Sequence, residues 1–194
     1  MLYIGFSKIF QNIGFMTTYN TSADSANTNV RAFLTKVGEF YLRRNFNTSS
    51  GWGRGQWERI KTETFDSRCA YCHNKGKLHI EHLIMFNSEQ CGLHHPGNIV
   101  PCCPKCNQRK KDDDKKYLQW VDQLETICNS IDEFKYRKKT ILTHIKNEKY
   151  PNLTEDEINA LRAVAIHLYS STKSIFDSSF ELFKNVDSTL LKRR

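Results

Sequence analysis

The stretch Cys69–Lys111 reads CAYCHNKGKLHIEHLIMFNSEQCGLHHPGNIVPCCPKCNQRKK. It opens with the pair Cys69-x-x-Cys72 and closes with the pair Cys103-x-x-Cys106. It also holds six of the chain's seven cysteines and five of its seven histidines. An ordinary surface segment does not concentrate these residue types, so we expect this stretch to be the centre around which the chain folds.

The paired cysteines predict a structural zinc site. Each C-x-x-C unit forms a tight turn whose two thiolates can converge on one tetrahedral ion. Thirty residues separate Cys72 from Cys103, so zinc would tie together the two ends of an inserted module. Cys102 is a rival ligand to Cys103, but the two-residue spacing favours Cys103. Cys91 and Cys128 are left as ordinary residues. The predicted ligands are Cys69, Cys72, Cys103 and Cys106.

The segment between the cysteine pairs predicts a hairpin. Residues 78–85 are rich in β-favouring types and indicate a strand. A loop through 86–97 and a second short strand at 98–101 follow, and a helix is expected to begin at about Pro104 to Asn107. The predicted order is strand, loop, strand, helix, with zinc at both ends.

This stretch resembles the HNH nuclease family, whose ββα-metal motif has the same order. The matching residues are the acid–histidine pair Glu81-His82, the mid-motif Asn98 before an apolar strand, and Asn107 directly after Cys106, with Lys110 three residues on. An asparagine in the last position is typical of the members called the HNN variant. The resemblance covers less than a quarter of the chain.

The resemblance implies a role for each residue. His82 would be the general base, because an imidazole can accept a proton from water at neutral pH. Glu81 and Asn107 would hold one Mg²⁺ or Mn²⁺ ion through hard oxygen ligands, although Glu81 replaces the commoner aspartate. Asn98 would hold the hairpin loop and orient His82. Adjacent strand residues point to opposite faces, so the backbone must bend at Glu81 and His82. Expected nucleic-acid contacts are Lys110, Lys111, His95 and Arg54.

The flanks are predicted to be helical, which makes the fold class α+β: a ββα-metal (HNH) core with a Cys₄ zinc site and helical N- and C-terminal flanks. Residues 1–29 are expected to be a poorly ordered arm, with Met1 or Met16 as the true start, and residues 30–68 a helical N-terminal segment. The nuclease module would span 69–128 and a helical extension 129–194.

Helices are expected at 30–46 (capped by Thr28 or Asn29), 56–67, 112–128 and 131–149. Thr154 and Glu157 have capping-box spacing and predict a further helix, with 173–191 as a last helix or a tail. The glycine-rich residues 47–56 indicate a linker or, alternatively, a DNA-contacting loop.

The charge predicts an acidic partner. The 194-residue chain has a net charge of +8 and a pI of about 9.1. Residues 1–68 and 101–150 each carry +4, while 69–100 and 151–194 sum to zero, so the excess flanks the central stretch. Nucleic acid explains this better than a merely solvated face. Reduced, paired cysteines and the lack of a signal-peptide pattern indicate a cytoplasmic protein without a membrane partner.

Together these features predict a metal-dependent HNH endonuclease. It would cut DNA, expected to be double-stranded, leaving 5′-phosphate and 3′-hydroxyl ends. The large flanks favour a restriction or defence enzyme, acting as a homodimer or with a partner protein. The alternatives are a non-catalytic zinc-finger nucleic-acid-binding protein and an RNA-directed nuclease.

Overall fold

The computed structural model describes the backbone of residues 21–191 and the side chains of residues 21–186. The elements are α1 (Ser22–Leu42), α2 (Gly51–Arg59), β1 (His79–His82), β2 (Ile99–Cys102), α3 (Trp120–Glu125), α4 (Ile131–Asn147) and α5 (Glu155–Leu191). The described residues therefore form a mixed fold, in which helical flanks surround a small antiparallel hairpin. The predicted alternatives for residues 1–20, including the start at Met16, lie outside the described residues.

The hairpin is short and fully in register. β1 pairs with β2 from His79 opposite Cys102 to His82 opposite Ile99. All four residues of β2 are buried, because helices cover the sheet on the side where β2 lies. The hairpin thus brings the end of one cysteine pair next to the start of the other.

The N-terminal flank differs from its prediction in two places. Helix α1 begins at Ser22 rather than near residue 30, because Thr21 and Asp24 form a capping box. The expectation of a disordered arm is therefore wrong for residues 21–29. The glycine-rich segment 47–56 is not a linker, since α2 begins at Gly51 and continues as a π-helical turn over Ile60–Thr64.

The C-terminal flank is two long helices and one short one. Helix α4 follows its prediction closely, and Thr154 and Glu157 form the expected capping box before α5. Helix α5 continues unbroken for 37 residues, which removes the alternative of a separate tail. The expected helix over 112–128 is reduced to α3.

Two apolar clusters hold these elements together. The central cluster packs α2, α3 and α4 around the hairpin, and Trp57, Ile60 and Phe65 are buried in it. The second cluster joins α1 and α5 to the loop after β1 through Val30, Leu34, Cys91, Leu93 and Ala165. On α4, Leu142 is 47% exposed and lies outside both clusters.

Glycine allows α1 to lie directly on that loop. A Cβ atom at Gly38 would collide with the carbonyl oxygen of His94. Because glycine has no side chain, the backbone of α1 can come this close to the hairpin loop at Gly38. Within the part of the chain that is described, no helix combines the length and the apolar character that crossing a membrane requires.

Candidate functional site

The four predicted cysteines form one cluster. Their sulphur atoms all lie within 4.8 Å of one another. Cys72 Sγ and Cys103 Sγ are 3.7 Å apart, and a tetrahedral ion with zinc–sulphur bonds of about 2.3 Å would place two ligands about 3.8 Å apart. The donor set and its spacing therefore fit a zinc ion held by Cys69, Cys72, Cys103 and Cys106.

The backbone forms each half of this cluster in the same way. The amide of His73 donates to the carbonyl of Cys69, and the amide of Asn107, at the matching position, donates to that of Cys103. Cys102 is fully buried in the hairpin and is not a member of the cluster. The neighbouring Cys102 thiol is the largest cause that lowers the pKa of Cys69 to about 4. The choice of Cys103 over Cys102 is thus confirmed for the cluster.

Asn98 pins the hairpin loop. Its Oδ1 accepts from the amide of Ile84 at 2.8 Å, and its Nδ2 donates to the carbonyls of Ile84 and Leu93 at 2.9 Å each. The side chain is buried, so these bonds replace the water that the loop backbone would otherwise need. This geometry agrees with the loop-holding role that was expected of Asn98.

His82 lies at the end of β1 with its ring enclosed. It stacks on Phe86 with ring centroids 4.6 Å apart, and its Nε2 lies 3.0 Å from Nδ1 of His94. Burial, helped by His94 and Arg31, lowers the pKa of His82 to about 3. The imidazole is therefore neutral at physiological pH and has a free lone pair to accept a proton, but so low a pKa makes it a weaker base than an ordinary histidine.

Glu81 has a partner that the sequence analysis missed. Its carboxylate forms an ion pair with the guanidinium of Arg109, whose side chain is 3% exposed. Burial raises the pKa of Glu81, although Arg109 opposes this shift. The Arg109 guanidinium thus supplies a positive charge beside this acid.

Arg109 also fastens the surrounding backbone. It donates to the carbonyls of His82 at 3.0 Å, Leu83 at 3.3 Å and Leu118 at 3.1 Å. Arginine is favoured over lysine in buried ion pairs, but no local pattern in the sequence identifies Glu81 as the partner of Arg109.

Asn107 does not sit on a helix. Residues 104–107 form a turn, and the next helix in the chain is α3. The predicted helix start at Pro104 is therefore wrong. The backbone amide of Asn107 donates to Cys103 at 3.0 Å, which closes the second cysteine turn. The divalent ion between Glu81 and Asn107 stays a prediction.

A cavity of about 770 Å³ opens in front of Glu81 and His82. The loop after β1 supplies one wall, from Met85 to Glu89. The rest of the lining comes from Asn27 and Arg31 of α1, from Tyr117, and from Tyr169 of α5. The described residues that line this cavity do not include Asn107.

The four residues expected to contact nucleic acid lie in different surroundings. Lys110 lines a groove of about 880 Å³ beside the cysteine cluster, together with Lys75, Lys77 and Lys105. Lys111 lies over the ring of Tyr117 at 4.6 Å. Arg54 is exposed on α2, not in a glycine loop.

The prediction that His95 contacts nucleic acid is wrong. His95 is 2% exposed, and its Nδ1 accepts from the amide of Gly97 at 3.0 Å. The ring therefore caps the short turn that precedes β2 and cannot reach a nucleic acid. The sequence signal was the histidine-proline-glycine run, which suits a turn as well as a surface contact.

The chain matches no protein-family model, and neither a curated protein nor a solved structure is similar to it.

Proposed function

We propose that the protein is a metal-dependent endonuclease of the HNH type that hydrolyses DNA phosphodiester bonds. The observation that carries the proposal is the position of His82. A neutral imidazole lies next to an acid, at the mouth of a 770 Å³ cavity, on a hairpin whose two ends meet at a four-cysteine cluster.

In this proposal, each residue of the site has a separate role. His82 would take a proton from the attacking water through the ring nitrogen that does not face His94. Asn98 holds the loop that carries Phe86 against the His82 ring, which limits the orientations open to the imidazole. The neighbouring phosphates would bind the lysine groove that contains Lys110, because clustered ammonium groups attract a polyanion.

Glu81 and Asn107 are the residues that would hold Mg²⁺ or Mn²⁺. Such an ion would stabilise the charge on the phosphate and on the leaving oxygen. Since the Glu81 carboxylate pairs with Arg109, binding of such an ion would require Glu81 to exchange or share this partner. The zinc at the cysteine cluster would hold the frame and take no part in the reaction.

A plasmid-nicking assay tests the proposal. The wild type should convert supercoiled plasmid to nicked or linear DNA with added Mg²⁺ or Mn²⁺, and His82→Ala should lower the rate by about 10²–10⁴-fold, the usual worth of a general base. The matched control is His167→Ala, because His167 is an exposed histidine on α5. Equal rates for wild type and His82→Ala would overturn the assignment of His82.

The second candidate is a non-catalytic zinc-dependent nucleic-acid-binding protein. The ion pair between Glu81 and Arg109 favours it, because this pair occupies the acid that catalysis needs. The lysine groove beside the cysteine cluster would then be the main binding surface. Tight DNA binding without cleavage by any variant would select this candidate, and cleavage of structured RNA alone would point to an RNA-directed enzyme.

A further inference from the structure

Helix α1 contributes part of the wall of the cavity that His82 also lines. Asn27 and Arg31 are four residues apart on this helix and therefore share one face. Both side chains line the cavity that also contains Glu81 and His82. The hairpin motif does not supply this wall, so the flank must bring its own chemistry to the site.

Arg31 is the cation on that wall. Its guanidinium is close enough to His82 for its charge to act on the imidazole. Among the described side chains, Arg31 has no ion-pair or hydrogen-bond partner, although the two acids Glu81 and Glu89 line the same cavity. Glu81 is already neutralised by Arg109, so the positive charge of Arg31 is available to a ligand.

A fixed helix holds this arginine. Val30, its neighbour in sequence, is 1% exposed and packs in the cluster that joins α1 to α5. Asn29, on the other side, donates to Thr172 of α5 at 2.9 Å. The backbone at Arg31 is thus anchored on both sides, and only its side chain is free to adjust to a ligand.

We propose that Arg31 is a phosphate-binding residue of this site, which holds the nucleic-acid phosphate that faces His82. The guanidinium fork matches two phosphate oxygens, whereas a lysine would act as a point charge. Asn27, one turn earlier, lies where its amide can contact the same backbone. The flank helix would thereby become part of the substrate site. This inference rests on the proposed function for the identity of the ligand.

Binding and cleavage should be measured separately, with a short duplex DNA as the probe. Binding is measured for the full chain in the His82→Ala background without added divalent ion, and cleavage in the wild-type background with Mg²⁺. Arg31→Ala should weaken binding by about ten- to a hundredfold, the usual range for a hydrogen bond to a charged group. It should also reduce the slope of log affinity against log salt by about one.

Two further variants separate a phosphate contact from general charge. Arg31→Lys keeps the charge and should recover part of the affinity and the full salt slope. Lys36→Ala removes one positive charge from the same helix, where Lys36 pairs with Glu39, and should change binding less than twofold. Because Arg31 is exposed, its replacement should leave the unfolding midpoint unchanged, and this is measured on the same samples.

The outcomes distinguish this proposal from the proposed function. Unchanged affinity and salt slope in Arg31→Ala, with a wild type that cleaves, would overturn the role of Arg31 and leave the nuclease standing. Weakened binding in Arg31→Ala, with a wild type that never cleaves, would support the phosphate site and refute the nuclease. A wild type that neither binds nor cleaves the duplex would overturn both.

Discussion

Replacing Arg109 by methionine should strongly destabilise the protein. The substitution keeps most of the side-chain volume but leaves Glu81 as a buried acid without its cation. Breaking a buried ion pair from one side costs about 3–5 kcal/mol, and Arg109 also loses its bonds to the carbonyls of His82, Leu83 and Leu118. We therefore expect a loss near the upper end of that range, a large share of the roughly 5–15 kcal/mol that stabilises a typical domain.

The pH dependence identifies the cause of this loss. Burial already raises the pKa of Glu81 in the presence of Arg109, and removing the guanidinium raises it further. A raised carboxyl pKa means that the folded state binds more protons than the unfolded state, so stability rises as the pH falls through that pKa. The deficit of Arg109→Met relative to the wild type should therefore be smaller at pH 5 than at pH 8.

Urea unfolding followed by circular dichroism at both pH values measures these free energies. The double variant Glu81→Gln/Arg109→Met should recover part of the loss, because no buried charge is left unpaired. Arg68→Met is the control at a surface ion pair with Asp66, and it should leave the midpoint nearly unchanged. A deficit below about 1 kcal/mol, or one that does not change with pH, would refute the argument that the pair is buried and structural.

Three other predictions follow from the fold. The zinc content of the purified protein, measured by inductively coupled plasma mass spectrometry, should fall in Cys103→Ser and stay intact in Cys102→Ser. Loss of zinc from Cys102→Ser would contradict the ligand assignment. Gly38→Ala should cost about 1–3 kcal/mol through its collision with the hairpin loop, whereas Gly55→Ala, which has open space around its Cβ position, should gain up to about 1 kcal/mol. The free energy of unfolding should fall as the pH drops from about 6.5 toward 4. The loss should reach up to about 1.4 kcal/mol per pH unit for each histidine that is neutral in the folded state and protonated in the unfolded state. A flat urea-midpoint profile over this range would contradict the lowered pKa values of His82, His94, His95 and His144.

The centre of the molecule was predictable because its signals are local. The spacing of the cysteine pairs predicted the cluster, and the β-favouring run around Glu81 predicted the hairpin, although β1 ends three residues earlier than expected. The capping residues Thr154 and Glu157 likewise act within one helical turn. None of these predictions depends on which distant segment packs against the stretch.

The missed features depend on long-range contacts or on weak local signals. Gly53 lies inside α2, where the backbone of Asn47 comes so close that a side chain would collide; tertiary packing there overrides the low helix propensity of glycine. The capping box at Thr21 uses an aspartate and stands before a polar run, so the start of α1 was placed too late. Arg109 pairs with an acid 28 residues earlier in the chain, and no local pattern reports this contact.

The candidate cavity is lined by residues from opposite ends of the described chain. Arg31 comes from its first helix and Tyr169 from its last, and the bond from Asn29 to Thr172 joins residues 143 positions apart. During synthesis the hairpin and its cysteine pairs leave the ribosome well before α5 does. The central module can therefore assemble its cysteine cluster and begin to fold early, whereas the wall that carries Arg31 gains its support only when the last helix is made. If the cavity is the substrate site, a truncated chain would hold the metal centre without a complete place for the substrate, so unfinished copies would be inactive in the cell that makes them.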